Sequence, residues 1–112
     1  MAEKFGTTWV PIKPEDVFPE IRKNWRMEVR NNENITRYTT YTAPTGKVAL
    51  VRGEENRRGK WKTFTWRVFE AYNGYMDDCV FETTTRRDAA RVAMNTEKRV
   101  IENQKIREEV QA

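Results

Sequence analysis

The run Lys60–Tyr72, KWKTFTWRVFEAY, followed at once by Asn73-Gly74, does more than any other stretch to limit how this chain folds. It carries aromatic and β-branched side chains at close spacing, with no glycine or proline to interrupt it, which reads as a long strand. Asn and Gly both tolerate positive φ, so the pair marks a tight hairpin whose twist matches that of the flanking strands. YMDDCVFETT at residues 75–84 is then the returning antiparallel strand. Side chains alternate across a strand. Phe64, Trp66, Val68 and Tyr72 are therefore expected on a core face, and Trp61, Thr63, Thr65, Arg67 and Phe69 on the other.

Upstream, ITRYTTYT at 35–42 and KVALVR at 47–52 read as two more strands, separated by the turn APTG. NNEN at 31–34 is turn chemistry, and GEENRRGK at 53–60 reads as a polar loop bounded by glycines. Ile21, Trp25 and Val29 recur at helical spacing after Pro19, which predicts a first helix over about 19–30. TRRD at 85–88 has the form of a capping box, and Ala89, Val92, Ala93, Thr96 and Val100 then form one stripe, predicting a long helix over about 86–108.

The order helix, four strands, helix, with short connections, predicts an α+β fold. A four-stranded antiparallel meander is packed against an N-terminal helix and a long C-terminal helix. Residues 1–18 read as an extended N-terminal arm, with Phe5, Trp9 and Val10 able to lie on the domain, and 19–112 as a single α-β4-α domain. At 112 residues the chain can bury one core but not two. The 4 Trp, 4 Tyr and 5 Phe place the chain outside the disordered class despite 34% charged residues.

What is missing narrows the chemistry. The chain has no histidine and one cysteine, Cys79, which removes histidine-based triads, Cys–His pairs, disulfides within the chain and the usual zinc sites. Cys79 stands beside Asp77 and Asp78, which disfavour a thiolate, so it reads as a small core or strand residue. The acids Glu70, Asp77, Asp78 and Glu82 cluster across the hairpin, but neighbours on a strand point to opposite faces and no acid-x-Lys pair completes a nuclease-like site. Neither a glycine-rich phosphate loop nor a nucleophile elbow occurs. The expectation is a protein without catalytic activity or cofactor. No apolar run is long enough to span a bilayer and no leader is visible, so a cytoplasmic setting without membrane contact is expected.

Charge and aromaticity meet in one place. The net charge is +4, and residues 57–112 hold 12 basic against 9 acidic side chains. Arg57, Arg58 and Lys60 directly precede Trp61. Such a mixture of cationic rim and aromatic platform suits nucleic acid, with Arg57, Arg58, Lys60 and Arg67 on phosphates and Trp61 and Phe69 on bases. Arg87 and Arg91, with Lys98 and Lys105 further along the last helix, form a second cationic row. A strand hairpin can also enter a duplex groove, and from Lys47 to Ala93 the hairpin and Thr-capped helix loosely resemble the arm-binding module of phage-type integrases, a three-stranded sheet with one packing helix. Asp77 and Asp78 depart from that pattern. The alternative is a small modulator or inhibitor of a partner enzyme, docking through Trp9, Trp25, Trp61, Tyr41 and arginines.

Overall fold

The computed structural model describes residues 13–72 and 75–111. The architecture is α+β, with helices at both ends and an antiparallel sheet between them, but the sheet has five strands where four were expected. The elements are α1 (Pro14–Asn24), β1 (Arg26–Asn32), β2 (Thr36–Thr42), β3 (Val48–Arg57), β4 (Lys60–Tyr72), β5 (Tyr75–Thr83) and α2 (Arg86–Gln111). Spatial order follows chain order, β1-β2-β3-β4-β5, a pure meander.

The extra strand comes from the segment expected to continue the first helix. Helix α1 starts earlier, with Pro14 at its first turn and Glu15 and Asp16 beside the positive end of its dipole. It stops at Asn24, because Trp25 adopts extended angles of φ −96° and ψ 147°. Of the expected helical stripe, Ile21 and Trp25 are buried but Val29 lies in β1, 54% exposed. RMEVR fits a two-residue period as well as a helical one, and cross-strand pairing of all seven β1 residues with β2 decides between them. Residues 14–18, expected in the arm, are thus helical. Residues 1–12, which held the rest of the arm, lie outside the described residues, as does the Asn73-Gly74 turn.

Both helices pack on one sheet face. Phe18 of α1 meets Tyr41 of β2 and Trp66 of β4 edge-on, each with ring centroids 5.5 Å apart. Ile21, Val48, Leu50 and Val68 complete the centre with no appreciable exposure. Ala89, Ala90 and Ala93 of α2 are fully buried, and such short side chains let α2 lie close to α1 and the sheet. Helix α2 also fixes the β2–β3 turn. The Glu97 carboxylate, with no exposed surface, accepts the Thr45 backbone N–H at 3.1 Å and the Thr45 hydroxyl at 2.5 Å. Burial pushes the Glu97 carboxyl above its ordinary range, and the two bonds from Thr45 only partly counter it.

A single extra residue reorganises β4. Arg52 pairs with Trp66 and Gly53 with Thr65, but Glu54 pairs with Thr63, leaving Phe64 as the surplus residue of a β-bulge. Alternation reverses there. Trp61 and Thr63 consequently share the helix-packed face with Trp66 and Val68, while Thr65, Arg67 and Phe69 stay on the opposite face. The expected grouping of Trp61 with Arg67 is therefore incorrect. Phe64, expected in the core, is 40% exposed and lies edge-on to Tyr38 on the opposite face, ring centroids 6.3 Å apart. Gly53 makes room for it, since a Cβ there would come within 3.0 Å of the Phe64 ring and 2.8 Å of Thr65 Cγ2.

Candidate nucleic-acid interface

The segment expected as a loop at 53–60 is mostly strand. Strand β3 continues to Arg57, which pairs with Lys60, so the connection shrinks to Arg58-Gly59. Both turn residues have positive φ, 56° for Arg58 and 83° for Gly59, the signature of a two-residue type I′ hairpin turn. Asn56 Oδ1 accepts the Gly59 N–H at 2.9 Å and braces it. Glycine suits this geometry. Arginine at the first position costs on the order of 1 kcal/mol relative to glycine or asparagine.

The ribbon ends in a concentration of positive charge. Arg57, Arg58, Lys60 and Lys62 are all exposed. Arg57 is held by Glu55, with Nε 2.8 Å from Oε1. Arg58, Lys60 and Lys62 form no ion pair among the described residues. On the side of β4, the last rung of β5 is Thr83 opposite Trp66, so residues 60–65 run beyond the sheet edge there. Lys62 is not marked by the run of cations before Trp61, and it joins them only because β3 and β4 pair out to Arg57 and Lys60.

Below the tip, on the helix-packed face, the hydrophobic core ends at the rung Thr39–Arg52–Trp66 and a polar platform begins. Glu54 is buried there between two arginines, accepting Arg37 Nε and Nη2 at 3.2 Å each, with Arg52 Nε at 3.5 Å. A bidentate grip of this kind fixes the guanidinium plane as well as its position. Arg37 is thereby held over the Trp61 ring, 4.3 Å from its centroid, and Arg52 lies 5.5 Å from that of Trp66. Trp61 is half-buried, with one ring face already occupied by a cation. Arg37 was not among the residues expected to matter, because its link to Trp61 depends on the register of three strands and on the Phe64 bulge.

The remaining expected residues lie elsewhere. Arg67 sits on the opposite face, its Nε 2.6 Å from Glu82 Oε2, and Phe69 is half-buried on that same face. The bond from Arg67, with a second from Thr65 at 3.1 Å, holds the Glu82 carboxyl below the usual range, and the same pairing raises the Arg67 guanidinium further. Arg87 and Arg91 are exposed near the start of α2, Arg91 facing Asp88 at 3.7 Å. That helix then runs toward Thr45 and Glu70, at the end of the sheet away from Arg58, as its Glu97–Thr45 and Arg99–Glu70 contacts show. The structure thus joins Arg57, Arg58, Lys60 and Trp61 at the end of the β3–β4 ribbon, with Arg57 and Lys60 facing the side opposite Trp61. Arg67 and Phe69 lie further back on β4, and Arg87 and Arg91 belong to the first turns of α2.

Cys79 is on a strand, as expected, but exposed and not in the core. Among the described residues no cluster of His, Cys, Asp and Glu is arranged to hold a metal ion, and no helix is long and apolar enough to cross a membrane. Comparison with protein-family models, with curated proteins and with solved structures finds no match for this chain.

Proposed function

We propose that this is a non-enzymatic nucleic-acid-binding protein of the cytoplasm that engages the phosphate backbone through the β3–β4 hairpin tip. The observation that carries the reading is Arg58, kept at φ 56° where asparagine or glycine would be less strained, and exposed beside Lys60 and Lys62. Strain of this sort is retained where a side chain is needed at a particular place. Arg58, Lys60 and Lys62 contact phosphates, while Arg37, neutralised by Glu54 and set on Trp61 on the opposite face of the ribbon, supports the hairpin and is not itself a phosphate ligand. Arg67 contributes less, since Glu82 already neutralises it.

Titration of labelled single-stranded and duplex oligonucleotides at several salt concentrations tests this. Three phosphate contacts give a slope of log affinity against log salt of roughly −2 to −3. A Lys60→Gln, Lys62→Gln variant should flatten it by about 2. Failure to bind either form at low salt removes the reading. A salt-insensitive interaction with a protein would instead favour the aromatic-anchored modulator.

A further inference from the structure

The sheet has two unlike edges. Strand β5 carries irregularities between Val68 and Phe69 and between Glu70 and Tyr72 in its pairing with β4, which twist and interrupt that edge. Strand β1 has no such defence, with seven consecutive residues in unbroken register with β2 and neither bulge nor proline. All seven are exposed. On the helix side they include Met27 and Val29, 57% and 54% exposed, large apolar groups with nothing laid over them among the described residues.

Charge decides what fits this edge. We propose that β1 pairs antiparallel with β1 of a second copy of this chain about a two-fold axis through Val29, joining two five-stranded sheets into one. In the sequence RMEVRNN this is the register that pairs the whole strand with itself. Val29 then faces Val29, Met27 faces Asn31, and Glu28 faces Arg30 in both halves. On the helix side the two Val29 side chains meet, flanked by Met27–Asn31 pairs, and opposite charges meet on the other. Glu28 already lies 3.3 Å from Arg26 of its own strand, and Arg30 of the second copy completes a cation on each side of it. Moving the centre to Glu28 sets Glu28 against itself, and moving it to Arg30 sets Arg30 against itself, each a destabilising like-charge pair. Moving by a single step, Glu28 against Val29, places a charge opposite an apolar side chain. The assignment is independent of the nucleic-acid reading.

Sedimentation velocity over a wide concentration range tests it on the full chain. The wild type should dimerise reversibly. In Arg30→Glu a carboxylate at position 30 meets Glu28 of the other copy, twice per dimer. In Glu28→Arg a guanidinium at position 28 meets Arg30, again twice. Each variant alone should therefore weaken self-association about tenfold or more. An equimolar mixture of the two should recover a heterodimer, because both facing pairs are then attractive. Unchanged thermal melts of the separate variants establish that both remain folded. A wild type that stays monomeric at every concentration overturns the proposal, even if another polypeptide adds to the β1 edge. So does a dimer indifferent to both substitutions, or a mixture that fails to associate.

Discussion

Replacing Glu97 separates the value of its bonds from the cost of its charge. The carboxylate is fully buried on α2 and accepts two hydrogen bonds from Thr45. In Glu97→Ala both bonds disappear, each worth about 1.5 kcal/mol when the acceptor is ionised. Removing the buried charge returns part of that sum, so the net loss should be about 2 kcal/mol. Glu97→Gln keeps the geometry, because its Oε1 can accept the Thr45 N–H while its Nε2 donates to the Thr45 hydroxyl. With no charge to bury, it should match or exceed the wild type at neutral pH, by less than about 1 kcal/mol. Urea unfolding followed by tryptophan fluorescence measures all three proteins. The pH dependence has a definite sign. Since the folded carboxyl holds its proton to a higher pH than the ordinary value of 4.5, the unfolded chain ionises first as pH rises. The wild type therefore loses stability relative to Glu97→Gln between that value and the raised folded one, with no difference of this origin at lower pH. A Gln variant as unstable as the Ala variant at neutral pH would show that ionisation itself is required and would refute the reasoning.

Arg58→Asn should stabilise the hairpin by a few tenths to about 1 kcal/mol, because asparagine accepts positive φ more readily, and at the same time weaken oligonucleotide binding. Chemical denaturation and the salt titration, run on the same sample, would detect either effect without the other. Gly53→Ala should cost about 1–3 kcal/mol, since its Cβ would stand 2.8 Å from the β-branched Thr65 side chain and 3.0 Å from the Phe64 ring. A neutral result would mean that the bulge can relax. Glu82 should titrate below an ordinary glutamate in an NMR pH series and return toward it in Arg67→Gln. Its small contribution to stability is present above the ordinary value and lost as pH falls through the depressed one.

Much of the fold was legible. Long-period patterns survived translation into structure, because burial on one face enforces them: the β4–β5 hairpin, β2 and the alanine-rich stripe of α2 all lie near their expected positions. Two features were not legible, for different reasons. Val29 satisfies the helical spacing from Ile21 and Trp25 and the strand alternation with Met27 alike, and only its pairing with Thr39 resolves it. The Phe64 bulge leaves no local mark, since its cause is a contact between Phe64, Tyr38 and the missing side chain of Gly53, which are distant in sequence. Of the candidate site, the cluster 57–61 could be read from adjacency alone. Arg37 and Glu54 could not, because register brings them to it.

The surplus residue in β4 acts as a phase inverter within one continuous strand. Positions beyond it are freed from the packing demands that govern Trp66 and Val68, so the tip can change its chemistry without disturbing what lies beneath the helices. Deleting Phe64 would leave Thr63 opposite Glu54 and Trp61 opposite Asn56, with the indole still beside Arg37, whereas pairing Phe64 regularly at unchanged length would turn the indole at 61 to the far side of the sheet. Which surface this arm presents is thus determined by whether one residue is left out of the ladder.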